Sequence, residues 1–347
     1  MRHQRLVPLI FSGTARGLES VEPGDALITF SRKEVLSTAA ALEQRGVSAS
    51  VIYGALPPAS RREEVRKFSA GETTAVVATD AIGMGVSLPI RRIIFCQTTK
   101  FDGVSRRDLT AAEIKQIAGR AGRFGMYDKG EVLTMSDPDR IAAALSGQPD
   151  FITGLTIPFP REALDSRFDI PTLFKAWSEL PPLENLCRAD LSDAAILYQA
   201  LIPALDGGMD KQTVYRYVTC PVDTRTAPLV EYWRDCAQSL LFGGTAPLAP
   251  FPDDSLESCE LRYKALDIRH QMLHRSGVEE SVTQEQAALS RKISGFLQED
   301  KSGFLRRCRR CYDLLPFNHH YALCEKCFAR TQAKRELRRG VSPRSKN

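Results

Sequence analysis

Two hydrophobic periods alternate along residues 1–140. Short apolar runs at "DALITF" (25–30), "SVIY" (50–53), "TAVVAT" (74–79), "RIIF" (92–95) and "GEVLTM" (130–135) read as strands. "TAVVAT" is apolar and rich in β-branched residues, the pattern of a strand buried on both faces. Between these runs the apolar positions recur at helical spacing. "RKEVLSTAAALEQRG" (32–46) predicts a helix stopped by Gly46. "SRREEVRKF" (60–68) predicts one opened by a capping box, with Ser60 as N-cap and Glu63 three residues on. "TAAEIKQIAGRAGR" (110–123) repeats the device with Thr110 and Glu113. Strands that alternate with helices predict an α/β domain whose parallel sheet is covered on both faces.

Past residue 140 the pattern is mostly helical, broken by proline clusters at "IPFP", "LPPL", "CPVDTRTAP" and "APLAPFPDD". The boundaries predicted are 1–140 for the α/β domain, 141–275 for a helical accessory domain and 276–302 for a helical linker. A small cysteine-bearing module follows at 303–331, and 332–347, which lacks apolar periodicity, reads as a basic disordered tail. No stretch approaches the ~20 apolar residues of a membrane span. The apolar part of "MRHQRLVPLIFSG" is too short for a secretory signal. Composition thus predicts a soluble chain in a reducing compartment, with no membrane partner.

The formal net charge of +5 is unevenly placed. Residues 301–347 hold 13 Lys and Arg against three acids, a net +10, while the first 300 residues carry −5. Such a tail suits a polyanion such as nucleic acid, or is a solvated end. Within it, "CRRCYDLLPFNHHYALCEKC" gives Cys308-x2-Cys311-x12-Cys324-x2-Cys327. Two such knuckles predict a closed, structural tetrahedral zinc site rather than two redox or disulfide pairs. His319 and His320 lie between the knuckles and could replace a thiolate; the four-cysteine set is the reading adopted, with the histidines at the surface. Arg309 and Arg310 inside the first knuckle, with Tyr312, Phe317 and Tyr321 interleaved, suit stacking and phosphate contact on single-stranded RNA. A protein-docking ribbon is the competing reading. His270 and His274 read as a helix surface, and the five scattered cysteines as small core residues.

Two further stretches carry chemistry. In "ATDAIGMGVSLP" (78–89) a buried strand ends at Thr79-Asp80, and Gly83 and Gly85 let backbone approach a ligand. In "QIAGRAGR" (116–123), Gln116, Arg120 and Arg123 end a helix in a setting suited to phosphate, because guanidinium groups fork onto phosphate oxygens. Yet the sequence contains no G-x-x-x-x-G-K-[ST] loop.

In order and spacing, "ALITFSRKE" (26–34), "ATDAIGMGV" (78–86) and "QIAGRAGR" (116–123) resemble the fourth, fifth and sixth motifs of superfamily 2 helicases. "SVIYGALPPASRREEVRKF" and "VATDAIGMGVSLPIRRIIF" are similar to the branch that includes the RNA helicase of the mitochondrial RNA degradosome and its bacterial relatives. Across 140–275, "RYVTCPVDTRTAPLVEYWRDCAQ" and "LRYKALDIRHQML" resemble the helical C-terminal region of that family.

The resemblance implies that residues 1–140 are a second RecA-like domain, followed by the helical region and the zinc ribbon. It implies an ATP site with Mg shared with a first RecA-like domain, which would supply the phosphate-binding lysine in cis or in trans. Arg120, Arg123 and Gln116 would act on the γ-phosphate, Asp80, Gly83 and Gly85 would line the nucleotide, and Ser31, Arg32 and Thr79 would touch the RNA backbone. It implies RNA as partner, an exoribonuclease as a further one, and a bacterial cytoplasmic location with the mitochondrial matrix as alternative. The mitochondrial helicases of that branch lack the zinc module, so its role is not inherited. The expected function is the motor half of an ATP-dependent RNA helicase, inactive alone. The alternative is a non-enzymatic RNA-binding adaptor that works through its ribbon and tail.

Overall fold

Each apolar run of the first 140 residues is long enough for one strand and too short for a helix, and a sheet forms from them. The computed structural model describes residues 5–85, 87–148, 154–181, 184–205, 209–299, 301–316, 319 and 321–340. The strands are β1 (Leu9–Thr14), β2 (Asp25–Ile28), β3 (Ala49–Ile52), β4 (Ala75–Ala78), β5 (Arg92–Phe95), β6 (Thr99–Phe101), β7 (Arg106–Asp108) and β8 (Gly130–Thr134). Six of them form one sheet in the order β1-β8-β5-β2-β4-β3, and every pairing in it is parallel. Strands β2, β3, β4 and β5 are buried at every position, β3 among them although it is the last strand of the sheet. That burial on both faces is why they read as continuous apolar runs.

The helices of this unit are α1 (Arg32–Glu43), α2 (Pro58–Ser69), α3 (Ala111–Ala118) and α4 (Pro138–Ser146). Phe68, Ile114, Ile117 and Ile141 pack with Ile28, Val76, Ile93 and Phe95 on one face of the sheet. The alternate strand positions face the other way, and α1 covers that side, buried through Val35, Leu36, Ala39, Ala40 and Leu42. Residues 1–149 and 297–347 form one compact unit, and 150–296 form a second.

The second unit contains β9 (Leu155–Ile157), paired in parallel with β10 (Leu186–Arg188), and helices α5 (Ile170–Glu179), α6 (Ser192–Leu201), α7 (Lys211–Val218), α8 (Ala227–Leu241) and α9 (Leu256–Ser276). Helix α10 (Thr283–Gln298) follows. An aromatic cluster centres the second unit's core, with Phe159 edge-on to Phe174 at 5.8 Å and to Trp177 at 5.6 Å. After α10 the chain returns to the first unit, turns at Lys301–Phe304, forms the cysteine module and ends in α11 (Glu325–Gly340).

Several elements depart from the sequence reading. The α/β unit runs past residue 140, because α4 buries Ile141 and Ala144 in the sheet's core. β1 and the antiparallel β6–β7 hairpin are not legible in the apolar pattern. Helix α2 starts at Pro58 with Pro57 as N-cap and no side-chain cap. The proline ring presets the first helical turn, Ser60 is buried inside the helix, and Glu63 pairs with Arg66 at 2.8 Å. The second predicted capping box is present: Thr110 Oγ1 accepts from Glu113 N–H at 3.2 Å while the Glu113 carboxylate accepts from Thr110 N–H at 2.9 Å. α11 continues to Gly340, into the stretch whose pattern reads as a disordered tail; 341–347 lie outside the described residues. Cys220, Cys236 and Cys259 are buried as expected, but Cys187 is exposed.

One charged pair lies within the sheet. Arg92 donates from Nε to Asp25 Oδ1 at 2.7 Å and from Nη2 to Oδ2 at 2.6 Å, with Asp25 fully buried. Arg92 also meets the half-exposed Glu22 at 3.0 Å, so Asp25 is the charge left in the interior when the pair is broken. Arg92→Met is therefore expected to cost ~3–5 kcal/mol, read as a lowered midpoint in denaturant unfolding; a midpoint equal to wild type would show the pair to be dispensable.

Candidate functional site

All six strands of the large sheet end at the same edge, so the loops after β2 and β4 emerge side by side. Ile28 of β2 pairs with Ala78 of β4. Ser31 caps α1, its Oγ accepting from Glu34 N–H at 3.2 Å, and remains exposed; Arg32 opens the helix. Thr79 follows β4 and caps a 3-10 turn over Asp80–Gly83, its Oγ1 accepting from Ala81 N–H at 3.2 Å. The structure thus sets Ser31, Arg32 and Thr79 along one sheet edge.

The turn after β4 is tied to the end of α3. Arg120 Nε donates to the Gly83 carbonyl at 3.0 Å, and its Nη2 donates to the same oxygen. The Gly83 turn packs directly on α3, where a Cβ at this position would lie in van der Waals contact, 3.4 Å from Gln116 Cγ. Gly122 has φ +71°, and a Cβ there would sit 2.5 Å from Gly130 N. Only glycine lets the chain after α3 pass that closely over the start of β8. Arg123 is then exposed. Arg5, Arg120 and Arg123 line one open cleft of ≈ 270 Å³ with Ser87. Arg5 donates to the carbonyls of Gly119 (2.8 Å) and Ala121 and so braces the loop that carries the other two arginines. Gly85, at φ +72°, is exposed with open space around it.

Asp80 is held by a partner that the sequence did not reveal. Lys100, on the β6–β7 hairpin, donates to Asp80 Oδ2 at 2.9 Å and lies 2.7 Å from Glu113 Oε1. Arg107 of the same hairpin forks onto the Glu113 carboxylate at 2.8 and 3.0 Å. The signal available in the sequence was "TKFDGVSRRD", two short charged segments around a glycine turn.

The cysteine module brings its four sulfurs together. The Sγ atoms of Cys308, Cys311, Cys324 and Cys327 lie within 4.8 Å of one another. Cys311 Sγ and Cys324 Sγ are 3.6 Å apart, far beyond a disulfide bond and near the ~3.7 Å edge of a tetrahedron with ~2.3 Å zinc–sulfur bonds. Burial raises the Cys308 thiol, but N–H groups of Cys311, Cys324 and Arg310 outweigh it and bring the thiol down to about 6. The cluster is compatible with a structural zinc. His319 Nε2 meets the Leu323 carbonyl at 2.6 Å, outside the sulfur set; His320 and Phe317 lie outside the described residues. Arg309 and Arg310 are exposed. Tyr321 and Phe328 stack with centroids 6.1 Å apart and an interplanar angle of 25°, and Tyr312 is exposed beside the site.

Glu113 joins the capping box to the Lys100–Asp80 contact. The hydrogen bond from Arg107, aided by Lys100 and the Thr110 N–H, holds its carboxyl well below the usual carboxylate range. A carboxyl depressed in the folded state stabilises above its unfolded pKa and loses that contribution as pH falls through the folded value. Glu113→Gln is expected to lower stability by ~1 kcal/mol at neutral pH, since the group is partly exposed. The gap to wild type should narrow as pH falls from ~5 toward ~2. Thermal unfolding of both proteins across that range tests it; a gap that does not move with pH refutes the assignment.

Residues 6–125 match the family described as the helicase conserved C-terminal domain. Over 355 aligned residues the chain is 31% identical to "ATP-dependent RNA helicase SUV3, mitochondrial" of Oryza sativa subsp. japonica, covering 89% of this chain and 59% of that protein. It is 43% identical over 142 residues to "DExH-box ATP-dependent RNA helicase DExH16, mitochondrial" of Arabidopsis thaliana, covering 40% of this chain and 25% of the relative. To "ATP-dependent RNA helicase SUPV3L1, mitochondrial" of Gallus gallus it is 34% identical over 211 residues, covering 54% of this chain and 26% of the relative. The chain spans 59% or less of each of these relatives. The six-stranded parallel sheet, the three motifs at its carboxyl edge and the match over residues 6–125 identify a helicase conserved C-terminal domain, in a chain similar to part of these RNA helicases.

Proposed function

We propose that this chain supplies the arginine half of an RNA-dependent ATPase motor and part of its RNA path. The observation that carries the reading is the cleft where Arg5 braces Arg120 and Arg123 beside the turn that bears Asp80 and Gly83. Arg123 faces solvent, free to reach a phosphate brought from outside. Arg120 is partly engaged by the Gly83 carbonyl, which orients its guanidinium. A fixed, always-charged guanidinium stabilises charge that develops on a transferred phosphoryl group. ATP with Mg would supply that group, and the phosphate-binding lysine would come from a first RecA-like domain in cis or in trans.

Ser31, Arg32 and Thr79 along the neighbouring edge suit contact with the sugar-phosphate backbone of RNA, which gives affinity without sequence preference. The ribbon adds exposed Arg309 and Arg310 and the stacked Tyr321–Phe328 pair, which suits single-stranded RNA. Four thiolates would hold zinc with no open position, so its part is structural. The printed names of the relatives are mitochondrial and favour the mitochondrial reading over a bacterial cytoplasmic one.

RNA-stimulated ATP hydrolysis is the test, with the chain alone and mixed with a separately produced first RecA-like domain of the same family. Activity is expected only in the mixture, and Arg123→Ala or Arg120→Ala should lower turnover by ~10³-fold or more while RNA affinity holds. RNA binding without restored turnover would favour the adaptor reading. The purified chain should also carry zinc at about one per molecule; atomic emission finding none, with the four thiols freely titratable, would refute the zinc assignment.

A further inference from the structure

A second cavity opens at the carboxyl edge of the sheet, apart from the arginine cleft. Strands β2 and β5 are neighbours, yet their outgoing connections diverge. α1 carries the chain from β2 toward β3, and the β6–β7 hairpin and α3 carry it from β5 toward β8 on the other side. The crevice between two such strands is the topological switch point, where open parallel sheets bind ligands. Here it holds a cavity of ≈ 210 Å³, with Thr29 following β2, Gln97 following β5 and Ser136 following β8.

The cavity is built of groups with unused capacity. Thr29 is buried to 3% exposure, and its Oγ1 has no hydrogen-bond partner among the described residues; neither has Ser136 Oγ. Buried hydroxyls are seldom left unsatisfied without a reason. Glu34, on α1, forms one wall. Its Oε2 accepts from Phe30 N–H at 3.3 Å and Gln97 Nε2 at 3.1 Å, which leaves Oε1 available. Arg16 and Arg306 stand at the cavity, neither with an ion-pair partner among the described residues. Arg306 arrives from the neck of the cysteine module. Lys301, buried, pairs with Glu43 of α1, and the Lys301–Phe304 turn packs on that helix.

We propose that this cavity binds a ribose 5′-phosphate unit with a free cis-diol. The carboxylate of Glu34 accepts the sugar hydroxyls, as an acidic side chain does for a ribose at other switch points. Thr29 and Ser136 complete their hydrogen bonds with the same sugar, and Arg16 and Arg306 take the phosphate. At ≈ 210 Å³ the cavity is smaller than the ~300–1,000 Å³ of pockets that enclose whole drug-sized ligands, so the base lies outside and is not read. Two molecules present this chemistry: a free nucleoside monophosphate and the 3′-terminal nucleotide of an RNA. The assignment is independent of the motor reading above.

Calorimetric titration of the full chain with adenosine monophosphate tests it, beside the 2′,3′-dideoxy analogue. The ribonucleotide should bind about tenfold tighter than the analogue, and Glu34→Gln should erase that difference. Arg306→Ala should weaken both ligands by about tenfold. Thr29→Val keeps the shape and removes the unsatisfied hydroxyl, so it should weaken the ribonucleotide while leaving the thermal midpoint level or higher. Short RNAs that end in a free cis-diol or in a 3′-phosphate then compete. Displacement by the first alone identifies an RNA end as the source; displacement by neither identifies a free nucleotide. If the ribonucleotide does not bind and the two RNAs bind alike, or if binding ignores Glu34, Arg306 and Thr29, the proposal is overturned.

Discussion

Six strands running in one direction are the constraint on which the chemistry of this protein depends. A parallel sheet cannot return by a hairpin, so each strand ends at the same edge and each crossover covers a face. The faces then fill with apolar side chains, and the edge collects what the faces cannot hold. Ser31, Thr79, Asp80 and the cavity floor at Thr29 and Gln97 share that edge because β2, β4 and β5 are adjacent and in register. The end of α3 reaches the same region through the Arg120–Gly83 contact, which joins the turn after β4 to the loop that carries Arg123.

The double use of polar groups recurs. Thr79 caps a turn and Ser31 caps a helix, each with its hydroxyl donor left over, while Arg120 braces a carbonyl. Glu113 caps α3 while it organises Lys100 and Arg107. A residue fixed by one hydrogen bond presents its second at a defined position, which limits the reorganisation needed when a ligand arrives. Arg5 extends the device: its two carbonyl contacts hold the loop that would otherwise place Arg120 and Arg123 loosely.

Much of this was legible in the sequence because the signals are local. "RIIF" is a strand at the predicted residues, and the Thr110–Glu113 box forms as read, since a capping box is decided within four residues. The Ser60–Glu63 pair has the same spacing but loses to Pro58, whose ring fixes the first turn earlier. β1 lies at the sheet edge with alternate half-buried and exposed positions, so no apolar run marks it. The β6–β7 hairpin has charged residues on short strands and pairs only with itself. Lys100 was illegible because its value comes from lying near Asp80, twenty residues away, across a fold that only the structure defines. The four cysteines were legible because metal-site spacing is written along the chain, whereas the switch-point cavity draws its walls from five separate segments.

The pairing of Lys301 with Glu43 spans 258 residues. The sheet and its helices α1 to α4 are synthesised before the second unit, and the outer side of α1 then waits through that unit before the turn that packs on it is made. During synthesis that helix carries an unfinished surface for roughly 10–50 seconds, at ~5–20 residues per second. The order of synthesis therefore sets a window in which the nascent chain is exposed to unwanted association. It also makes the cysteine module a late piece, fitted after the sheet and helices that it packs on.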